Sequence, residues 1–343
     1  MNASLLLKLN IVAKSTTIFA NLRITMTVRR MRNLCTFASL SLNNMKRFKA
    51  VVFSMRLRTL PLSLAGVVLG LMLALRYHDA TIWTIVWLLL TTVCLQILSN
   101  LSNELGDFLR GTDGSQREGP QYSLAQGALD TKDFRRLIAL FAGLCCLFGA
   151  AMVWSSFGTL IAWQPILLLL LGAAAIWAAM HYTLGKNPYG YRGLGDISVF
   201  IFFGIVSVAG AYFVISHTFD TLLVLLPAAA IGCFSVGVLN VNNIRDMESD
   251  ANHRITIPLK IGSRKAKIYQ TALIVAAWLC MLLFTLADFT SGWNLLYCAT
   301  LPLYALHLRI VWSRDGKSLD PALPLLVIST FVFAILAGTG YLI

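Results

Sequence analysis

Two groups of acidic and amide side chains follow long apolar runs of this chain. Asn103 with Asp107, and Asn242 or Asn243 with Asp246 and Asp250, recur at intervals of three or four residues, which places each set on one face of a helix. Carboxylates gathered in this way repel one another unless a cation binds them, and oxygen-rich clusters suit Mg²⁺ that is shared with substrate phosphates. The spacing therefore predicts an enzyme acting on a phosphorylated substrate. The first acidic motif is Asn103, Asp107 and Asp113, and the second is Asn242, Asn243, Asp246 and Asp250.

The composition is that of a membrane protein. Hydrophobic residues make up 57% of the chain and charged residues 13%, against roughly 25% charged in an average soluble domain. About 20 mostly apolar residues cross the hydrocarbon core as a helix, whereas an open strand finds no hydrogen-bonding partner in lipid. The sequence therefore predicts an all-α, polytopic bundle of nine transmembrane helices. The predicted spans are 60–76, 82–102, 135–154, 159–182, 197–216, 219–241, 269–287, 292–312 and 322–343.

The distribution of Lys and Arg predicts the orientation. Of the 28 Lys and Arg residues, 11 precede the first span and 16 lie in the connections after the second, fourth, sixth and eighth spans. Basic residues concentrate on the cytoplasmic side of a membrane protein. We therefore expect a multi-pass protein of the cell inner membrane, with a cytoplasmic N-terminus, an outer C-terminus and a cavity facing the cytosol. The net charge of +13 follows from this bias, so it indicates contact with membrane lipid and requires no nucleic acid.

Residues 1–44 contain no acidic residue and several Lys, Arg, Ser and Thr residues. We expect a poorly ordered extension here, ahead of a single domain over 45–343. The segment is either a targeting peptide or the result of an upstream start codon, since Met45 and Met55 stand just before the first span.

An internal duplication is indicated by the position of the two motifs. One follows the second span and the other the sixth, and Asp107 and Asp246 are 139 positions apart. A four-helix unit used twice would place the motifs opposite each other. Transporters also use repeats, so the repeat alone does not choose between an enzyme and a transporter.

The two motifs and three further stretches resemble the UbiA superfamily of intramembrane aromatic prenyltransferases. Members of that family carry two Asp-rich motifs after the second and sixth helices of a nine-helix bundle. The resemblance covers about residue 50 to the C-terminus, and its third stretch resembles the branch that prenylates 1,4-dihydroxy-2-naphthoate. The stretches are RLRTLP from Arg56, REGP from Arg117, and YTLG from Tyr182 continuing through YRGLGD to Phe203 and Gly204.

The resemblance implies a reaction. A polyprenyl group passes from polyprenyl diphosphate to 1,4-dihydroxy-2-naphthoate, with loss of diphosphate and CO₂, to give demethylmenaquinol in menaquinone biosynthesis. Bound Mg²⁺ would neutralise the leaving diphosphate, and apolar walls would keep the allylic cation from water until it reaches the ring. The implied metal ligands are Asn103, Asp107 and Asp113 on one side and Asn243, Asp246 and Asp250 on the other.

The resemblance also implies further site residues. Asp196 would accept a proton from the aromatic substrate, and aromatic faces would stabilise the cation. Ordinary alternatives stay open: cytosolic surface charges for the basic residues, an interfacial belt for the tyrosines, caps or turns for Asn103 and Asn243, and a helix N-terminal carboxylate for Asp196. The basic binding residues are Arg117, Lys186, Arg192, Arg245 and Arg254, and the aromatic ones are Tyr182, Tyr191 and Phe200.

Three positions depart from the family pattern. Glu104 stands where the family has Asp, and Asp196 stands where it commonly has Glu. After Asp250 the family has a Gly-Lys pair before Thr, whereas here His253 and Arg254 arrive one residue early.

Two other functions remain open at this point. One is a prenyltransferase with another acceptor, such as 4-hydroxybenzoate or a tetrapyrrole. The other is a cation-coupled transporter, although transporter sites usually lie near the membrane midplane, and the two motifs stand at the cytosolic ends of their helices.

Overall fold

The computed structural model describes residues 45–111, 123–124, 126–251 and 253–343. The chain divides into two compact units, Met1–Val51 and Val52–Ile343. In the first unit, the described residues 45–51 are helical. The expectation for residues 1–44 lies outside the described residues, and so do the roles of Asp113 and Arg117.

Over the described ranges, nine helices are long and apolar enough to cross a membrane. The first runs over Met45–Leu75, and its α-helical segment Leu60–Leu75, which lies in the second unit, is α1. The described residues form no strand, and their only β-type pairing is an isolated bridge between Arg192 and Ile255. The prediction of an all-α, nine-helix membrane protein is confirmed. The other spans are α2 (Ile82–Leu109), α3 (Thr131–Phe157), α4 (Trp163–His181), α5 (Gly195–Ser216), α6 (Leu222–Arg245), α7 (Ser263–Ala287), α8 (Gly292–Ser313) and α9 (Gly316–Leu342).

The helices that carry the acidic motifs are longer than their apolar runs. The predicted spans ended at 102 and 241, but α2 continues to Leu109 and α6 to Arg245. Hydropathy marks the stretch that suits lipid, whereas a helix continues as long as its polar side chains find partners inside the protein. Glu104, Asp107 and Asn243 are all buried. Asn103 and Asp107 therefore lie in the last turns of α2, and Asn242 and Asn243 in the last turn of α6.

Local signals explain where several helices begin and end. The Thr81 hydroxyl accepts a hydrogen bond from the amide of Thr84 at the start of α2. Asp130 and Asp133 form a capping box at the start of α3, and Gly158 ends that helix with φ of 66°. These caps satisfy backbone groups that the helix ends leave without intrahelical partners.

The bundle is held by close helix contacts. α2 packs along α3 and α4, α6 packs along α7, and α1 packs against α5 and α9. A Cβ atom on Gly70 would lie 2.1 Å from the carbonyl oxygen of Val208, and one on Gly204 would lie 2.6 Å from Cα of Gly232. Glycine at these positions allows α5 to approach α1 on one side and α6 on the other.

The middle of α5, Phe200–Val206, is a π-helix. Such segments are rare and frequently mark functional sites, because the wider turn redirects side chains. Here Phe202, Phe203 and Val206 line an internal cavity. The irregular turn thus shapes one wall of the site.

Candidate active site

The second unit contains a cavity of about 360 Å³ between α1, α2, α4, α5 and α6. On the side of α4 and α5 its wall is largely apolar, and at one end it is polar. Both acidic motifs contribute to that polar end, so side chains from the two halves of the chain meet there. The polar end includes Asn103, Asp107, Asn242, Asn243, Asp246, Arg254 and Arg56.

Asp107 is held by side chains from two connections. Its Oδ1 accepts a hydrogen bond of 2.6 Å from the Tyr191 hydroxyl, and the same oxygen lies 3.7 Å from Nη2 of Arg254. Tyr191 comes from the connection between α4 and α5, and Arg254 from the connection between α6 and α7. The carboxylate of α2 therefore draws together segments that are far apart in the sequence.

Two guanidinium groups lie close to the ring of Tyr191. The guanidinium carbons of Arg110 and Arg254 each lie 5.1 Å from the centroid of its ring, within the range of a cation–π contact. Arg110 also donates a hydrogen bond of 2.7 Å to the carbonyl oxygen of Gly185. Because Tyr191 is buried and is not part of the cavity wall, it is placed to orient Asp107 and not to face a substrate cation.

Asp246 has a different environment. Arg245 donates to both of its carboxylate oxygens, from Nε and Nη2, each at 2.7 Å. The same guanidinium donates to Asn242 at 2.8 Å and to Asp320 at 2.9 Å. Such a two-point pair fixes the carboxylate plane. Arg245, predicted to bind diphosphate, is thus committed to the second acidic motif and does not line the cavity.

Arg254 is the cation that links the two motifs. Its Nε lies 3.0 Å from Oδ1 of Asp250, and it faces Asp107 from the other side. Burial alone would lower the pKa of Arg254, but Asp107 and Asp250 outweigh that effect and raise the pKa above its ordinary value. A permanent charge therefore stands at the polar end of the cavity.

Asn103 is positioned by a close contact between α2 and the residues after α4. Its Oδ1 accepts a hydrogen bond of 3.3 Å from the Thr183 hydroxyl, which also lies 2.9 Å from the carbonyl oxygen of Ser102. A Cβ atom on Gly106 would lie 2.5 Å from Thr183. Glycine in the first acidic motif thus makes room for the residue that orients its asparagine.

Tyr182 separates the main cavity from a much smaller one. The small cavity has about 10 Å³ and is lined by Tyr182, Asp196, Asn243 and Arg254, which is room for about one water molecule. Asp196 accepts a hydrogen bond of 3.0 Å from the Tyr269 hydroxyl. Burial raises the pKa of Tyr182, so its hydroxyl stays protonated. Asp196 therefore lies behind Tyr182, and the main cavity does not include it.

Several predicted residues are not brought to the cavity wall. Lys186 and Arg192 are exposed. Asp250 is buried and reaches the site through Arg254. Phe200 packs towards Gly232 on α6, and its neighbours Phe202 and Phe203 line the cavity instead.

Glu104 also faces away from the cavity. Its Oε1 accepts a hydrogen bond of 3.2 Å from the amide of Leu124. The longer side chain at this departure from the family pattern therefore anchors the segment before α3.

Other cavity residues were not singled out from the sequence. Arg56 lines the polar end and has φ of 49°, an uncommon conformation for a residue with a side chain. It begins the RLRTLP stretch, which carried the family resemblance and could have identified Arg56 as a site residue. Asn100 and Gln96 also line the cavity, about one and two turns before Asn103 respectively. Their positions on the motif-bearing face of α2 could have identified them.

The donor set at the polar end fits Mg²⁺ shared with a substrate. Asn103, Asp107, Asn243 and Asp246 offer amide and carboxylate oxygens, which a hard cation prefers. Among the residues that the structure describes, no three His, Cys, Asp or Glu side chains are grouped closely enough to hold a metal by themselves. Substrate phosphates and water would have to complete the coordination.

Known proteins share this chain's sequence and fold. The model of the UbiA prenyltransferase family matches residues 63–338. The chain is 36% identical over 276 residues to the 1,4-dihydroxy-2-naphthoate octaprenyltransferase of Escherichia coli, an alignment that covers 80% of this chain and 87% of the relative.

Solved structures share the fold at low sequence identity. The apo structure of a UbiA homolog from Aeropyrum pernix superposes with a TM-score of 0.61 at 18% identity, covering 84% of this chain and 97% of the other. A UbiA homolog from Archaeoglobus fulgidus, solved bound to DMAPP and Mg²⁺, gives a TM-score of 0.58 at 16% identity, covering 83% and 98%.

Proposed function

Because this chain belongs to the UbiA prenyltransferase family, we propose that it transfers a polyprenyl group from polyprenyl diphosphate to 1,4-dihydroxy-2-naphthoate. The products are diphosphate, CO₂ and demethylmenaquinol, within menaquinone biosynthesis. The observation that carries the proposal is the meeting of Asp107 and Asp246 at one end of a largely apolar cavity. The 36% identity to a relative named for this acceptor supports the choice of substrate.

The polar end is the diphosphate site. Asn103, Asp107, Asn243 and Asp246 would hold Mg²⁺, which, when bound, neutralises the diphosphate and makes it a better leaving group. Arg254 adds a fixed positive charge between the two motifs, and such preorganised charge stabilises charge that develops during a reaction. The Mg²⁺ in the Archaeoglobus homolog supports the same cofactor here.

The apolar wall on the side of α5 would keep water from the reacting carbon of the prenyl group. The bond between the allylic carbon and the diphosphate oxygen breaks, and the electron pair leaves with the diphosphate. Phe202, Phe203 and Val206 exclude water from the electron-poor carbon, and aromatic faces stabilise positive charge. The ring carbon that bears the carboxylate forms the new bond, and the carbon–carboxylate bond then returns its electrons to the ring as CO₂ departs.

Two residues outside the cavity wall position the ligands. The Tyr191 hydroxyl orients Asp107, and Arg245 fixes the plane of Asp246. Groups that orient metal ligands typically contribute 10–100-fold to metal affinity or activity. Tyr191 and Arg245 therefore act through the carboxylates.

We also propose that the protein lies in the inner membrane with its N-terminus in the cytoplasm. The support is the concentration of Lys and Arg before the first span and in the connections after the second, fourth, sixth and eighth spans. A reporter active only outside the cytoplasm, fused after Ile343, is expected to be active. The same reporter inserted between α2 and α3 is expected to be inactive, and the reverse pattern would contradict this orientation.

The reaction is tested with the purified full chain in detergent. Octaprenyl diphosphate, 1,4-dihydroxy-2-naphthoate and Mg²⁺ are supplied, and products are identified by mass spectrometry while CO₂ is trapped. We expect the prenylated quinol with one CO₂ per product, and no product with EDTA. A product that keeps the carboxylate, or prenylation of 4-hydroxybenzoate in preference, would contradict the proposed acceptor.

A further inference from the structure

One wall of the cavity stays polar beyond the polar end. The wall formed by α1 and α2 carries Ser63, Gln96, Ser99 and Asn100, whereas the facing wall of α4 and α5 is apolar except for Ser198 and Ser207. A polyprenyl tail gains nothing from amide groups, and buried amides need hydrogen-bonding partners. The two walls therefore suit two different substrates, the tail on the side of α4 and α5 and a polar ring on the side of α1 and α2.

The side-chain amides of Gln96 and Asn100 belong to one hydrogen-bond network. Its bonds to backbone carbonyls determine which way the nitrogen and the oxygen of each amide face. Asn100 Nδ2 lies 2.8 Å from the carbonyl oxygen of Met55, which only accepts, so Asn100 must present its amide nitrogen there and its Oδ1 on the other side. Gln96 Nε2 donates to that Oδ1 at 3.0 Å. The Thr59 hydroxyl donates to the carbonyl oxygen of Arg56 at 2.9 Å, so its oxygen accepts from Gln96 Nε2 at 3.2 Å and from Asn100 at 3.1 Å.

Both amide hydrogens of Gln96 are thereby used inside the protein. No described residue donates to its Oε1, and Gln96 lines the cavity. The network ends at the cavity in an acceptor. A ligand group bound there must be a donor, because two acceptors placed face to face repel each other and leave a buried polar group unsatisfied.

We propose that Gln96 recognises a hydroxyl of the aromatic acceptor and so determines specificity for the reduced, dihydroxylated ring; this rests on the proposed function. Gln96 is eleven residues before Asp107 on α2, which is about 16 Å along the helix axis at 1.5 Å per residue. The diphosphate and the attacked carbon occupy the space nearest Asp107. Of the two hydroxyls of 1,4-dihydroxy-2-naphthoate, the one at position 4 is farther from the attacked carbon. We therefore expect Gln96 to bind the hydroxyl at position 4.

A hydroxyl at position 4 donates to Gln96, whereas a methoxy group or a quinone carbonyl at the same position has no proton to donate. The site thus selects the electron-rich hydroquinone, which is the form able to attack an allylic cation. It disfavours the oxidised quinone, which would occupy the site without reacting.

The first test uses the wild-type chain and three ligands. Dissociation constants are measured in detergent for 1,4-dihydroxy-2-naphthoate, for 1-hydroxy-2-naphthoate and for the 4-methoxy analogue of the latter. We expect the dihydroxy compound to bind roughly tenfold more tightly than either of the others, the usual effect of one hydrogen bond to a buried polar group. Equal binding of the 4-methoxy and dihydroxy compounds would overturn the proposal without any variant being made.

The second test is Gln96→Met, which keeps the length of the side chain and removes the acceptor. The tenfold ratio between the dihydroxy and monohydroxy ligands is expected to fall to within about twofold, while KM for the prenyl diphosphate stays within about twofold. Any electronic difference between the ligands cancels, because the same two ligands are compared in both proteins. An unchanged tenfold ratio in the variant would overturn the role of Gln96.

The matched control is Gln270→Met. Gln270 is also buried and holds an amide network, accepting from Asn240 at 2.9 Å and contacting His307 at 3.0 Å, but it is not part of the cavity wall. This variant should lose stability as Gln96→Met does, yet keep the tenfold ratio. The opposite result is that Gln270→Met lowers the ratio of the two dissociation constants as much as Gln96→Met does. The loss of selectivity would then follow from reduced stability of the bundle, and the role of Gln96 would be contradicted.

Failure of the proposed function and failure of the role of Gln96 give different experimental results. If the wild-type chain forms no prenylated quinol with 1,4-dihydroxy-2-naphthoate, the proposed function fails, whatever the binding ratio. If it forms the quinol but binds the three ligands equally, only the role of Gln96 fails.

Discussion

The two acidic motifs occupy equivalent positions in the two halves of the chain but are built differently. Asp107 and Asp246 are 139 residues apart, and the same offset relates Gly106 to Arg245. Arg245 binds both oxygens of its neighbouring Asp246, whereas Gly106 leaves room for Thr183, and Asp107 receives the hydroxyl of Tyr191. One carboxylate is thus held by a cation from its own helix, and the other by residues from distant connections. The two motifs therefore have distinct supports at what we propose is one shared diphosphate site.

The largest effects are expected from the two carboxylates themselves. Asp107→Asn and Asp246→Asn should each lower kcat/KM by roughly 10³-fold, because each removes a carboxylate that would hold Mg²⁺, the ion that neutralises the diphosphate. They should differ in stability. Asp246→Asn leaves the buried Arg245 without its closest carboxylate, and breaking a buried pair is costly.

Thermal unfolding in detergent checks this difference. Asp246→Asn should unfold several degrees below Asp107→Asn. Equal unfolding midpoints would mean that the Arg245 pair does not distinguish the two motifs.

The next effect is expected at the cation shared by the motifs. Arg254→Gln should lower kcat/KM for the prenyl diphosphate by roughly 10²-fold, because a fixed charge beside the leaving group is lost. Steady-state kinetics with varied prenyl diphosphate measures the loss. The control is Arg264→Gln, which removes an exposed charge from the first turn of α7, the helix that follows Arg254 in the chain. This variant should have little effect on kcat/KM. Similar losses in both variants would indicate that only the general positive charge of this face matters.

A smaller effect should follow from removing the support of Asp107. Tyr191→Phe removes the hydroxyl that bonds this carboxylate and should raise the Mg²⁺ concentration for half-maximal activity by about 10-fold. Tyr269→Phe removes an equivalent hydroxyl from Asp196, outside the main cavity, and should leave the Mg²⁺ requirement unchanged. Comparable Mg²⁺ shifts in the two variants would contradict a specific role of Tyr191.

The smallest effect is expected from Gly106→Ala. The added methyl group would meet Thr183, and overpacking of this kind typically costs about 1–3 kcal/mol. We expect a lower thermal unfolding midpoint with a few-fold loss of activity through the displaced Asn103. A variant as stable and active as the wild type would show that the contact with Thr183 does not position the motif.

The sequence predicted the features that depend on composition and repetition. Nine spans follow from apolar runs that lipid requires, and the encounter of Asp107 with Asp246 follows from their equivalent positions. The ends of α2 and α6 were missed, because hydropathy does not report that Asp107 and Asn243 are buried by protein partners. The sequence also did not show that Glu104 turns towards Leu124.

The roles of Tyr191, Arg245 and Gln96 depend on contacts between distant segments. Tyr191 was expected to face a substrate, but its hydroxyl points to Asp107. Arg245 was expected at the diphosphate, but it bonds Asp246 and Asp320. A pattern of residue types indicates which groups are available for chemistry, whereas the partner of each group is set by packing between helices that are remote in the sequence.

The central claim is that both motifs act on a single diphosphate, and the double variant Asp107→Asn/Asp246→Asn tests it most directly. Mg²⁺-dependent formation of the prenylated quinol is measured in the wild type, both single variants and the double variant. If the carboxylates act as one unit, the double variant should be hardly less active than either single variant, since residues that work together are strongly non-additive. Losses that multiply, so that the double variant falls by the product of the two single effects, would contradict a shared site.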